Sequence, residues 1–175
     1  LLIGGSLGAL TLNTAVAESI PEIVKSGVQL FWQCGKRFDE RAKMVLEAAG
    51  NPTCIKQMPF IARMDLAYKA ADLVISRAGA SSISELCLLG KRVILVPSPN
   101  VAEDHQTKNA EALSSKGAAI LVRDTEARQR LMPCALSVVH DEESLTSMSR
   151  EIAALAQRDS AARIADIIFD IVNKK

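Results

Sequence analysis

Short apolar runs alternate along this chain with longer stretches in which apolar residues recur every three or four positions. Leu1–Ile3 reads as the end of a strand, followed by Gly4-Gly5-Ser6-Leu7-Gly8 and a helical stretch near Ala9–Ser19. Val28–Gln33 predicts a second strand, and Asp39–Ala49 carries helical apolar spacing. Cys54–Gln57 is a short third strand that leads into Pro59-Phe60-Ile61. Met64–Ala71 predicts a helix and Leu73–Ser76 a buried strand. Ser82–Leu89 is a helix stopped by Gly90, and Arg92–Val96 a strand ended by Pro97 and Pro99. Gln106–Ser115 is a helix stopped near Gly117, and Ala119–Val122 is a sixth strand. Beyond Asp124 the strands cease, and residues about 126–137, 142–157 and 160–172 read as helices.

Strands that are apolar throughout, each followed by a helix, are the signature of parallel strands covered on both faces. The expected fold is α/β: a doubly wound, Rossmann-like parallel sheet of about six strands with a helical C-terminal tail. At 175 residues the chain suits one domain with a real core. Leu1 is not a methionine, and a strand is already under way there, so the chain is expected to be a piece of a longer protein.

Composition mainly removes alternatives. Apolar residues make up 49% and charged residues 23%, an ordinary soluble balance. A net charge of +1 gives no field for nucleic acid, and one Trp, one Tyr and four Phe are too few for base-stacking platforms. No apolar run approaches the roughly 18 residues of a membrane span, and no signal peptide opens the chain. Cys34, Cys54, Cys87 and Cys134 form no CxxC pair, and His105 and His140 are the only histidines. Small buried thiols in a reducing compartment fit this pattern better than bridges or a zinc site.

In a doubly wound sheet, ligands bind beyond the carboxyl ends of the strands, where loops enter helix N-termini. The first such loop, Gly4-Gly5-Ser6-Leu7-Gly8-Ala9, can bring backbone N–H groups close to a phosphate, or simply make a tight turn. It is a poor dinucleotide fingerprint, because GxGxxG needs glycine where Ser6 and Ala9 stand. The acid expected at the end of the second strand is also missing, since Gln33-Cys34-Gly35 occupies that place. The second loop, Ser76-Arg77-Ala78-Gly79-Ala80-Ser81-Ser82-Ile83-Ser84-Glu85, offers small residues and hydroxyls at a helix start. Within it, Ser82 to Glu85 matches a capping box, yet Glu85 could equally accept hydrogen bonds from a ribose diol. Arg77 could offset phosphate charge or be a surface ion-pair partner. The third loop, Glu103-Asp104-His105-Gln106-Thr107-Lys108-Asn109-Ala110, holds amides suited to sugar hydroxyls, although Asp104 could merely cap a helix. In Met58-Pro59-Phe60-Ile61, backbone groups at Ile61 could read a base edge beside Phe60, with core filling the favoured account of Phe60. Arg123–His140 reads as a solvated helix face.

Taken together these loops resemble the cell-wall N-acetylglucosaminyltransferases of glycosyltransferase family 28, enzymes of the two-Rossmann-domain (GT-B) architecture. The likeness is to their C-terminal domain and runs over nearly the whole chain. It is carried by Gly4–Ala9, Phe60-Ile61, Ser76–Ala80, Ser84-Glu85, Val96-Pro97, Asp104-His105-Gln106 and Asn109-Ala110. Their order and spacing are specific where each alone is weak. The segment Pro97–Ala102 departs from regularity just before the Asp-His-Gln motif.

The resemblance implies that residues 1–175 form the C-terminal donor-binding domain, with the N-terminal acceptor domain absent from this chain. It implies an inverting hexosyltransferase of peptidoglycan synthesis, serving cell-wall biogenesis, cell shape and division. Such an enzyme moves N-acetylglucosamine from UDP-N-acetylglucosamine to lipid I, giving lipid II. Ser6 would contact the diphosphate side, and Ile61 would present its backbone to uracil. Ala80, Ser81, Ser82, Ile83 and Ser84 would wrap the ribose and diphosphate, and Glu85 would hold the ribose hydroxyls. Gln106 would bind the N-acetylglucosamine, with His105 and Asn109 beside it. The catalytic base, the lipid I site and peripheral attachment to the cytoplasmic face of the inner membrane would belong to the missing half, so this chain alone is expected to be inactive. No Asp-x-Asp motif is present, and no metal or cofactor is expected. Rival readings are another GT-B enzyme, a UDP-sugar epimerase, or a non-catalytic donor-binding subunit of a split glycosyltransferase.

Overall fold

The computed structural model describes residues 1–5, 8–99 and 104–173. Six strands form one sheet: β1 (Leu2–Ile3), β2 (Leu30–Gln33), β3 (Ile55–Met58), β4 (Val74–Ser76), β5 (Val93–Leu95) and β6 (Ile120–Leu121). All pair in parallel, in the order β3-β2-β1-β4-β5-β6. The order reverses between β1 and β4. That reversal opens a crevice at the carboxyl ends of those two strands, because their following connections leave in opposite directions.

Two apolar layers sandwich the sheet. On one face Leu2, Leu30, Trp32, Ile55 and Ile75 meet α1 (Leu10–Glu18), α2 (Ile20–Ser26), α3 (Asp39–Ala48) and α7 (Ala127–Val138). On the other, Val74, Val93 and Leu95 meet α4 (Met64–Ala70), α5 (Ala80–Leu89), α6 (His105–Ser114) and the end of α8 (Glu142–Ala154). Strand alternation sends successive side chains to opposite layers, which is why the central strands are apolar at every position. The C-terminal α9 (Ser160–Asn173) buries none of its residues and leaves Ile164, Ile167, Ile168 and Ile171 exposed.

Three local expectations are corrected. Residues 20–26, unassigned from sequence, form α2, which begins with Pro21 in its first turn and ends at Gly27 in the left-handed region. Helix α5 starts at Ala80, with Gly79 as its N-cap, so Ser82 already lies inside the helix. The Ser82–Glu85 capping box is therefore not formed. The stretch 123–140 is only half solvated, since α7 buries Ala127, Leu131, Met132 and Ala135 while Arg128 and Arg130 face water.

No helix is long and apolar enough to cross a membrane among the described residues. The four cysteines are free thiols, Cys34 and Cys87 buried, Cys54 and Cys134 half-buried.

Candidate functional site

Helices α1, α5 and α6 begin where β1, β4 and β5 deliver the chain to the carboxyl rim of the sheet. The first four N–H groups of a helix lack intrahelical partners, and a side-chain cap normally takes one of them. Neither Ala9 at the start of α1 nor Gly79 at the start of α5 offers such a cap. Ala80 and Ser81 of α5 are exposed. The crevice is thus bordered by helix N-termini whose donors and positive dipole ends are open to an anion.

The glycine loop is shaped by the strand beside it. Gly8 has φ +80°, and a Cβ there would collide with the carbonyl oxygen of Cys34 at the end of β2. Below it the buried Asn13 of α1 donates to that same Cys34 carbonyl at 2.7 Å and accepts the indole N–H of Trp32 at 2.9 Å. These bonds satisfy polar groups inside the core and fix α1 against β2, so the loop above has a rigid floor. Ser6 lies outside the described residues.

Arg77 binds its neighbours more tightly than a surface residue would. Its guanidinium donates to the carbonyls of Val96 and Pro97, at 3.1 and 3.2 Å, and pairs with Asp124. Asp124 also accepts the hydroxyl of Thr11 at 3.0 Å. With side chains only 19% and 16% exposed, Arg77 and Asp124 form a half-buried clamp joining the connections after β4, β5 and β6 to the first turn of α1. The charge of Arg77 is already engaged by a carboxylate, which settles its role as an ion pair rather than a free phosphate counter-charge.

Gln106 comes to the same place. Its Oε1 accepts the backbone N–H of Ser98 at 2.9 Å, tying the connection after β5 to the first turn of α6. Asn109, one turn on, donates to the carbonyl of Ala78 at 3.2 Å and so links α6 to the loop before α5. Gly4, Gly8, Thr11, Arg77, Pro99 and Gln106 are among the residues lining one polar cleft of about 410 Å³. Asp104 has φ +53°, and its carboxylate takes the hydroxyl of Thr107 at 2.6 Å instead of capping the backbone of α6.

The remaining candidates do not line that cleft. Ile61 is buried and lines a separate apolar hollow of about 280 Å³ with Phe31, Met58 and Leu66. Phe60 is 60% exposed, so it does not fill the core as expected, and its ring is free to cover a ligand. Ile83 and Ser84 line a groove between α5 and α6, and Ser84 donates back to the carbonyl of Ala80 at 2.9 Å. Ser82 is half-buried on the same helix. Glu85 is exposed on α5 and accepts the hydroxyl of Tyr68 at 3.3 Å. Burial and the Glu85 carboxylate together push the Tyr68 phenol up to about 12, so it stays a hydrogen-bond donor to Glu85. Asp124, Thr11 and Tyr68 were not singled out from sequence, because nothing in their local spacing marks a partner so far away along the chain.

Comparison with known proteins gives a consistent neighbourhood. A family model, the glycosyltransferase family 28 C-terminal domain, matches residues 1–164. A Parabacteroides distasonis protein named UDP-N-acetylglucosamine--N-acetylmuramyl-(pentapeptide) pyrophosphoryl-undecaprenol N-acetylglucosamine transferase is 56% identical over 176 residues, covering 100% of this chain and 47% of that protein. A Porphyromonas gingivalis protein of the same name is 56% identical over 172 residues, 98% of this chain and 45% of its own length. The crystal structure of Acinetobacter baumannii MurG superposes with a TM-score of 0.83 at 32% identity, over 97% of this chain and 48% of that one. The chain spans about half the length of the curated relatives it matches.

Proposed function

This chain belongs to glycosyltransferase family 28 as its C-terminal domain, and from that premise we propose that it binds UDP-N-acetylglucosamine for an inverting N-acetylglucosaminyl transfer. The acceptor would be lipid I and the product lipid II, as the names of its relatives suggest. Residues 1–175 would be the donor half of a GT-B enzyme. The acceptor site, the catalytic base and peripheral contact with the cytoplasmic face of the membrane would come from the other half. Roles in cell shape and division would follow from that reaction.

The observation that carries this reading is the pair of uncapped helix N-termini, α1 and α5, on either side of the crevice between β1 and β4. A diphosphate there would replace water on N–H groups that the fold leaves without side-chain partners. Ser6 and the segment Ala80, Ser81, Ser82, Ile83 and Ser84 would surround the diphosphate and ribose. Glu85, oriented by Tyr68, would accept the ribose hydroxyls. Ile61 would meet uracil with the exposed Phe60 over it, and Gln106 would address the sugar.

In the transfer, the C4 hydroxyl of the muramoyl sugar attacks C1 of N-acetylglucosamine from the face opposite UDP. The new C–O bond forms as the bond from C1 to the diphosphate oxygen breaks, and the hydroxyl proton passes to a base in the other half. Charge builds on the departing UDP while C1 becomes oxocarbenium-like. N–H groups held in advance around that diphosphate stabilise it without reorganising, an effect of about 3–4 kcal/mol per donor where water is excluded.

Calorimetric titration with UDP, and with ADP as the control, tests the proposal. Binding of UDP in preference to ADP is expected, together with a rise in melting temperature. No binding of UDP at millimolar concentration would remove the donor reading.

A further inference from the structure

The polar cleft of about 410 Å³ runs along the carboxyl rim of the sheet. Its wall passes from Gly4 and Gly8 after β1, by Arg77 after β4, to Pro99 after β5 and Asp124 after β6. Among the described residues that line it, Arg77 and Asp124 alone carry charge. Asp124 opens the short turn Asp124–Glu126, and its side chain is 16% exposed.

The two charges differ in what they still offer. Nη1 of Arg77 donates to the carbonyls of Val96 and Pro97 as well as to Asp124, so its donors are turned towards the connection after β5. In Asp124, Oδ1 accepts from Arg77 and Oδ2 from the hydroxyl of Thr11. An ionised carboxylate only accepts, at about four lone-pair sites. Both oxygens of Asp124 therefore keep room for a further donor. A sugar hydroxyl supplies one; a phosphate or carboxylate oxygen cannot, and meets like charge instead. Thr11 lies in the first turn of α1, which brings the Asp124 carboxylate beside that helix start. A diphosphate drawn to the start of α1 then settles over Gly4 and Gly8, away from that carboxylate, and the group it bears is directed towards Gln106 and Asp124.

We infer that Asp124 is a specificity-determining residue for the donor's sugar: it accepts a hydroxyl of a neutral sugar and rejects donors whose sugar is anionic. The inference rests on the donor reading above and adds to it a rule of selection by charge. Gln106, with both a donor and an acceptor, could serve either kind of sugar, so the discrimination falls to Asp124.

The test titrates the full-length protein and its Asp124→Asn variant with UDP-N-acetylglucosamine and UDP-N-acetylglucosaminuronate. These ligands differ only at C6, a hydroxymethyl group in one and a carboxylate in the other. Within one cleft C6 and Asp124 stay inside the screening length of about 10 Å, so repulsion is felt wherever on the ring the hydroxyl contact falls. The wild type is expected to bind the uronate about tenfold more weakly than the neutral donor. Asparagine keeps the shape, removes the charge and adds a donor, so the variant should bring the two affinities to within about threefold of each other. Releasing Arg77 would act on the diphosphate common to both ligands, and a merely structural defect would also move both together. Neither changes the ratio. Equal affinities in the wild type, or a variant that keeps the wild-type ratio, overturn the inference and leave the donor reading standing. A wild type that binds neither ligand overturns the donor reading, and the inference with it. Should Asp124→Asn not fold, the wild-type ratio is compared at about 0.1 M and about 1 M salt: a ratio that shrinks supports repulsion by charge, and one that holds, as selection by shape would, overturns it.

Discussion

At the scale of single residues, Glu85 shows how structure divides two readings that sequence leaves level. Its place three residues after Ser82 matches a capping box, but Gly79 caps α5, and Glu85 lies in the second turn, beyond reach of the N-cap N–H. Its partner is Tyr68, at 3.3 Å, and its carboxylate is exposed at the rim. Replacing Glu85 with alanine should weaken UDP binding by about 1–3 kcal/mol, as for a lost hydrogen bond to a charged group, and leave stability nearly unchanged. Calorimetry and melting curves on the same sample check both halves of that statement; unaltered UDP affinity would leave Glu85 as no more than the acceptor for Tyr68. Tyr68 gives a pH dependence of defined sign. Its folded value, about 12, lies above the ordinary 10, so between those values the folded state retains a proton that the unfolded chain has lost. The stability it contributes is complete below about pH 10 and is lost as pH rises towards 12. Tyr68→Phe should flatten that decline relative to the wild type in denaturant titrations across this window, and parallel curves for the two proteins would contradict it.

At the scale of elements, the strands were legible because each is a short apolar run that must be covered on both sides. Their observed limits fall within the predicted ones or move by a residue, as with β3 at Ile55–Met58. Helix starts were less legible. In α5, Gly79 takes the extended backbone of an N-cap without any side-chain bond, and no local polar pattern advertises that. Helix α2 carries its marks, Pro21 near the start and Gly27 at the end, but it follows α1 with only Ser19 between them, and the predicted helix ends at Ser19 with α2 unassigned. The clamp of Arg77 and Asp124 spans 47 positions of sequence, so only the fold could bring it together. The far end of α5 falls where Gly90 predicts it, and that glycine has φ +60° and lies against Ser149 and Ala153 of α8. Ser149 also donates to the Gly90 carbonyl at 2.7 Å. Gly90→Ala should lower stability by about 1–2 kcal/mol, the cost of a left-handed residue with a Cβ. A melting temperature equal to that of the wild type would show that α5 and α8 can shift without penalty.

At the scale of the whole molecule, the proposed function makes the crevice between β1 and β4 one wall of a reaction site completed by another half. On the proposed donor reading, the starts of α1 and α5 and the cleft residues Gly4 and Gly8 would stand on the donor's leaving-group side. His105, Asp104 and Glu85 are exposed side chains at this rim, yet an inverting transfer needs its base on the opposite face of the sugar, beside the incoming hydroxyl. A wall that surrounds the diphosphate, as proposed, would be on the wrong side of C1 to take that proton. Separating binding from chemistry is therefore the sharpest consequence of the architecture. This chain should take up UDP-N-acetylglucosamine and gain melting temperature, while transferring no N-acetylglucosamine to lipid I in a radiolabel assay. Joined to a partner half equivalent to the remaining length of its relatives, it should transfer the sugar. Measurable transfer by the isolated chain would mean that a base lies on this wall after all, and His105 and Asp104 would be the first side chains to remove.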